Sequence, residues 1–156
     1  MTATDKVSEI FDRNRRRVVR DRAYSRAQGQ DFLHKEMAGE LYERIQMVSR
    51  SFDRCLLMGL GSGYLVDKLT SMGMRPMVAD SSHLLAGKMQ GIQCDEDRLP
   101  FADASFDLVV TTGALDTVND LPGALTLIRR ILKPDGLFLG SFLGAESLTT
   151  LKSVLI

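Results

Sequence analysis

No tryptophan occurs among the 156 residues, and cysteine and histidine appear only twice each. Cys55 and Cys94 both lie in apolar, strand-like runs without metal-ligand spacing. That argues against a disulfide framework or a zinc site and favours buried, reduced thiols in a cytosolic protein. His34 and His83 stand alone, which leaves no histidine cluster for a metal. Net charge is also lacking, since twenty basic side chains balance twenty acidic ones. Nothing global therefore draws the chain to nucleic acid or a membrane. No apolar run is long enough to span a bilayer. The N-terminus has no signal-peptide apolar core; it is arginine-rich like a transit peptide, but Asp5, Glu9 and Asp12 argue against that reading.

What is present is an ordinary globular composition, 44% hydrophobic and 26% charged, enough for one continuous core. Its centre is Cys55-Leu56-Leu57-Met58-Gly59-Leu60-Gly61-Ser62-Gly63, a short apolar run ending in alternating glycines. The run predicts a buried parallel strand. The glycines allow a sharp turn and close backbone approach to a ligand, and a helical pattern follows from Tyr64. Strand, glycine loop and helix together form the first half of a nucleotide-binding βαβ unit.

Residues 5–28 read as a helix with Val7, Ile10, Phe11, Val18 and Val19 as sparse apolar positions. Residues 1–30 hold eight basic side chains (Lys6, Arg13, Arg15, Arg16, Arg17, Arg20, Arg22, Arg26) against four acids. The cluster reads either as a solvated helix face or as a docking surface for an acidic partner or anionic lipid. Asp31 is a candidate N-cap for a second helix, whose apolar face is Leu33, Met37, Leu41, Ile45 and Val48. These two helices make an N-terminal extension, residues 1–50, ahead of a core at 51–156. In the core, strands are expected at 55–59, 77–80, 91–95, 106–112 and 137–142. Helices are expected between them, with Lys133-Pro134-Asp135-Gly136 as turn chemistry. A last amphipathic helix would use Leu148, Leu151, Val154 and Leu155. Strands alternating with helices specify an α/β, Rossmann-like, doubly wound parallel sheet.

In such sheets ligands bind outside the carboxyl ends of the strands. Those ends supply Gly59, Gly61, Gly63, Asp80, Ser81, Asp95, Glu96 and Thr112 as candidate cofactor-binding residues. An acid after strand two can accept hydrogen bonds from both ribose hydroxyls, and Asp80 stands near the spacing expected of that acid. Taken alone, Asp80 is equally a turn or helix-cap residue. The loop is Gly-x-Gly-x-Gly followed by Tyr64, where a pyrophosphate-cradling fingerprint would need glycine. So tight a loop suits a nucleoside with an amino-acid tail, and favours S-adenosylmethionine over NAD. No general base is evident; Asp116 and Thr112 are the nearest candidates by position.

The sequence resembles class I S-adenosylmethionine-dependent methyltransferases of the type-11 group. The matching stretches are Leu56–Gly63, Val78-Ala79-Asp80, Asp95–Phe101, Phe106–Val110 and Leu132–Gly136. The resemblance implies that the glycine loop meets the methionine part, Asp80 the ribose, and Asp95-Glu96 the adenine. Phe11-Asp12-Arg13, Arg20-Asp21-Arg22-Ala23, Val118–Pro122 and Gly144–Leu148 look like the complex I assembly methyltransferase-like proteins of mitochondria and α-proteobacteria. That narrower resemblance implies arginine hydroxylation of a complex I subunit rather than methyl transfer. The malonyl-carrier-protein methyltransferases of biotin synthesis are a neighbouring branch.

Three departures shape the expectation. Leu57 stands where the family usually has an acid that helps hold the cofactor's charged methionine end. A charge-assisted hydrogen bond is worth roughly 1.5–3 kcal/mol, so this replacement would weaken affinity on the order of ten- to a hundredfold. Asp116-Thr117 replaces the narrower family's His-Trp pair. The chain also reads as C-terminally truncated, lacking strands six and seven of the class I fold. Strand five, with Leu137-Phe138-Leu139, would then be an open edge that a second copy could cover. The function expected is methyl transfer from S-adenosylmethionine to an unidentified acceptor. The alternative is a non-catalytic or hydroxylase-type assembly factor for complex I. The compartment expected is bacterial cytoplasm, or the mitochondrial matrix for a eukaryotic source.

Overall fold

The fold is given by a computed structural model, which describes residues 9–26, 29, 31–61, 63–144 and 149–155. Helices α1 (Arg13–Arg26) and α2 (Phe32–Gln46) precede an alternating series: β1 (Cys55–Met58), α3 (Tyr64–Ser71), β2 (Met77–Asp80), α4 (His83–Lys88) and β3 (Ile92–Gln93). After a long loop come β4 (Phe106–Thr112), a 3-10 turn at Leu115–Thr117, α5 (Leu121–Ile131), β5 (Leu132–Ser141) and α6 (Thr149–Leu155). The five strands form one parallel sheet in the order β3-β2-β1-β4-β5. Strand order therefore reverses between β1 and β4, and the glycine loop leaves β1 at that point.

Period-two alternation explains the central strand. Every residue of β1 is buried, and successive side chains enter opposite layers. Cys55 and Leu57 join Ala38, Leu41 and Ile45 of α2 with Leu65 and Leu69 of α3, while Leu56 and Met58 join Ile128 and Ile131 of α5. Of the amphipathic face expected of α2, Met37, Leu41 and Ile45 are buried, whereas Leu33 is exposed and Val48 lies past the helix end, half-buried against the core. Leu57 is fully buried in that core, so an apolar side chain there completes the packing between sheet and helices.

Several expected elements differ in detail. The third strand is only Ile92–Gln93, because Asp95 to Arg98 close a turn (Arg98 N–H to Asp95 O, 2.9 Å) instead of extending the ladder. Asp31 precedes α2 but makes no side-chain cap bond, whereas Ser82 caps α4 through Leu85 N–H and Asp120 caps α5 through Gly123 N–H. The Lys133–Gly136 turn chemistry lies inside β5. Leu132 pairs with Phe106 and Leu137 with Leu108, so the residues between them bulge from the ladder, with Asp135 at φ +62°. In α6, Val154 and Leu155 are exposed, against the expectation of an apolar packing face; Leu148 lies outside the described residues. Val7 also lies outside them.

Helix α1 is inverted relative to a normal amphipathic helix. None of its side chains is buried, and Val18 and Val19 are exposed, as are Ile10 and Phe11 before it. Its inward face is made of arginines.

Candidate functional site

At the carboxyl end of the sheet four buried carboxylates come together, one at a strand end and three on the loop after the next strand. Asp80 ends β2, and Asp95, Glu96 and Asp97 follow β3. Their side chains are 0 to 4% exposed. So many buried carboxylates require counter-charges close by. Helix α1 supplies them. Arg13, Arg16, Arg17 and Arg20 share one helix face at three- and four-residue spacing, and each meets a different acid. Arg13 forks onto Asp97 at 2.6 and 2.8 Å, and Arg16 onto Glu96 at 2.7 and 3.0 Å. Arg17 reaches Asp95 Oδ2 at 2.6 Å. Arg20 holds Asp80 through Nε at 3.1 Å and Nη2 at 2.8 Å.

The ionisation of this interface follows from its geometry. The hydrogen bond to Asp97 is the main reason that the Arg13 guanidinium lies above its ordinary range. Burial opposes the charge of Arg20, yet Asp80's charge and hydrogen bonds outweigh it and leave that guanidinium raised. Burial would push Asp97 up, but the Arg13 bond prevails and holds its carboxyl below the usual range.

The remaining anchors of α1 fall in the motifs that the narrower resemblance singled out. Asp12 accepts from Arg15 N–H at 2.9 Å and starts the helix. Asn119 clamps the preceding backbone both ways: its Oδ1 accepts from Phe11 N–H at 2.7 Å, and its Nδ2 donates to Phe11 O at 2.9 Å. Asp21 accepts from Ser82 Oγ at 2.5 Å and from Leu84 N–H at 3.2 Å, tying α1 to the start of α4. Phe11-Asp12-Arg13, Arg20-Asp21 and Asn119 thus act together as the docking apparatus of one helix.

The sequence-derived site residues divide into those brought together and those left aside. Gly59, at φ +70°, turns the chain beside β4; any Cβ there would collide with Ala114. The space left by the missing Cβ of Gly61 is occupied by the imidazole of His34, on α2. Gly63 is less constrained than expected: it precedes α3 at φ −74°, and a Cβ would meet only the flexible tip of Met89. Ser62 lies outside the described residues. Asp80 serves as a turn residue as well, because its Oδ1 accepts from Ser82 N–H at 2.7 Å. Ser81 and Thr112 are buried at the strand ends, while Asp116 is exposed and Thr117 Oγ1 accepts from Arg16 Nε at 3.0 Å.

Two contributions escaped the sequence reading, His34 and the arginine comb. The comb had a visible signal, since arginines at 13, 16, 17 and 20 describe one helical stripe. His34 had none, because its role depends on α2 crossing the glycine loop. Burial, then the neighbouring Arg20, holds the His34 imidazole below its ordinary range.

A cavity of about 340 Å³ opens beside this loop, lined by Arg20, Tyr24, His34, Leu60, Gly61 and Ser82. Ser81 Oγ and Asp95 Oδ1 are buried without a hydrogen-bond partner, and buried polar atoms of this kind call for a ligand or water. Carboxylates at the strand ends are the acceptors that suit the hydroxyls and amine of a nucleoside, but here they are paired with arginines and lie outside the lining of this cavity. Among the described residues no three His, Cys, Asp or Glu side chains are placed so that they could hold a metal ion, and no helix is long and apolar enough to cross a membrane.

Comparison with known proteins agrees with this geometry. A family model described as a methyltransferase domain matches residues 56–140. Among curated proteins, the mitochondrial arginine-hydroxylase NDUFAF5 of Danio rerio is 36% identical over 92% of this chain and 48% of its own length. The malonyl-[acyl-carrier protein] O-methyltransferase of Methylovorus sp. is 29% identical over 92% of this chain and 55% of its own. The chain thus spans about half the length of the curated relatives it matches. Among solved structures, a methyltransferase in complex with the Haloferax volcanii Trm112 activator superposes with a TM-score of 0.66. It is 29% identical, over 76% of this chain and 57% of that one. With more than half of its length matched by that model on a sheet of this topology, the chain belongs to the methyltransferase-domain family, whose cofactor is S-adenosylmethionine.

Proposed function

We propose that this chain binds S-adenosylmethionine and transfers its methyl group to an acceptor still to be identified. One observation carries the reading: the glycine loop after β1 and the buried acid ending β2 lie side by side next to the point where strand order reverses. Asp80 would hold the ribose, with Asp95 and Glu96 toward the adenine and Gly59 and Gly61 toward the amino-acid tail. When bound, the cofactor supplies an electrophilic methyl on a sulfonium. The chain's own contribution is positioning and exclusion of water, because an in-line displacement depends chiefly on alignment. Thr112, at the end of β4, and Asp116, after it, flank the acceptor side.

Calorimetric titration with S-adenosylmethionine tests this directly. Micromolar affinity is the expected result, and tighter binding of NAD would overturn the cofactor assignment. No binding at millimolar concentration would leave the second reading, a hydroxylase-type or non-catalytic assembly factor for respiratory complex I. Leu57 in place of an acid, and relatives named as an arginine-hydroxylase, favour that alternative. We place the protein in the bacterial cytoplasm, or in the mitochondrial matrix for a eukaryotic source; the relatives named as mitochondrial support only a mitochondrial setting.

Two associations belong to this proposal. The outer edge of β5, with Leu137, Phe138 and Leu139 half-buried, would pair with a second copy. A chain that stays monomeric at high concentration in sedimentation would refute that. An acidic partner would meet Arg15, Arg22 and Arg26, which are exposed, because Arg13, Arg16, Arg17 and Arg20 are engaged within the domain.

A further inference from the structure

The acids assigned above to ribose and adenine are not accessible where they stand. Asp80 is 0% exposed at its side chain, and Asp95 and Glu96 are 3% exposed. What covers them is α1. Arg20 takes both oxygens of Asp80, and Arg16 both oxygens of Glu96. Arg16 also reaches Ala114 O at 3.1 Å and Thr117 Oγ1 at 3.0 Å. A guanidinium and a nucleoside present similar hydrogen-bond donors to a carboxylate, so the two compete for the same oxygens.

We propose that α1 is a self-supplied occupant of the nucleoside site: with Arg16, Arg17 and Arg20 on Glu96, Asp95 and Asp80 the site is closed, and an adenosine-bearing cofactor enters as α1 lifts. The inference rests on the cofactor reading above and adds regulation to it. The interface is built to separate. α1 contributes no buried side chain, Tyr24 is only half-buried, and Val18 and Val19 face away. Lifting therefore exposes little apolar surface and exchanges ion pairs for water and ligand. The apparent affinity for cofactor is then the intrinsic affinity reduced by the fraction of molecules that are open, and whatever weakens the arginine pairs raises it.

The test uses the full chain and S-adenosylhomocysteine, which lacks the sulfonium charge and so has little salt dependence of its own. Its affinity is measured by calorimetry from about 0.05 to about 0.5 M NaCl, a range over which screening shortens markedly. Amide exchange of residues 13–26 is followed with and without ligand. The closed-site proposal expects binding to tighten with salt, to tighten about tenfold in Arg16→Ala/Arg17→Ala as the open fraction rises, and α1 amides to exchange faster when ligand saturates the protein.

If α1 stays protected at saturation and Arg20→Ala weakens binding, α1 is a fixed part of the filled site. The closed-site proposal then fails while the cofactor reading stands. Should neither wild type nor the double variant bind at millimolar ligand, the cofactor reading fails and takes this inference with it. Where a variant does not fold, the salt series and exchange on wild type decide alone: affinity that falls with salt while α1 stays protected overturns the proposal.

Discussion

Helices α1 and α2 are neighbours in sequence, of nearly equal length, and are attached to the domain by opposite means. α2 buries Met37, and packs Ala38, Leu41 and Ile45 against β1 and α3. α1 buries no side chain and holds on with arginines directed at buried acids. Apolar burial carries no charge for salt to screen or acid to titrate, and is lost only on unfolding. Ion pairs respond to ionic strength and protonation. One helix is therefore structural in a permanent sense, and the other is conditional.

The contrast can be broken most forcefully from the α2 side. Leu41→Ala should destabilise the whole domain by about 2–5 kcal/mol, the usual range for truncating a buried leucine, measured by equilibrium denaturation. Next comes Arg16→Ala, which strips Glu96 of its counter-charge. Were α1 fixed, an uncompensated buried carboxylate would cost about 3–5 kcal/mol. With α1 free to lift, Glu96 regains water, and the expected loss in the same denaturation assay is closer to ~1 kcal/mol.

A smaller effect separates the helices kinetically. Raising salt from about 0.1 to about 1 M shortens the screening length from roughly 10 to 3 Å. Limited trypsin digestion should then speed several-fold at the arginines of α1 and stay unchanged at Lys35 and Arg44 of α2. Equal acceleration at both would dissolve the distinction.

Acid should divide them again. The folded state disfavours protonation of both His34 and Asp97, so each lends stability at higher pH that is lost as pH falls. For His34 the loss begins below its ordinary 6.5 and deepens toward its lower folded value; for Asp97 it begins below 3.8. Stability against pH should show both arms, and His34→Gln should remove only the upper one. Last and smallest, burial pushes Cys55 and Cys94 up to about 12. Both should resist alkylation at neutral pH in low and high salt alike, a control that salt loosens α1 and leaves the core closed.

The α/β fold was legible in the sequence because its signals are local. The buried run of β1, the glycines after it and the apolar spacing of α2 each specify their element without help. The short β3 was less so, since the residues after Gln93 look strand-like until they turn to bring three acids under α1. The glycine loop was read as a place for close approach by a ligand, and in the structure the space left by Gly61 is filled by the imidazole of His34. The arginines were read as solvated or as facing an outside partner. Composition cannot tell a foreign acidic surface from the chain's own, because the acids that answer Arg13 and Arg20 lie more than fifty residues away.

The amide of Asn119 sets what happens after the ion pairs let go. Its two bonds to the backbone of Phe11 involve neutral groups, which salt does not screen. A released α1 consequently stays leashed beside the sheet, and its return is an intramolecular event. Effective concentrations for short tethers are about millimolar, so closure is rapid and independent of how dilute the protein is. Conversion of Asn119 to aspartate would replace the donor by a second acceptor facing Phe11 O. The leash would become a repulsion, and a reversible cover would become a loose end.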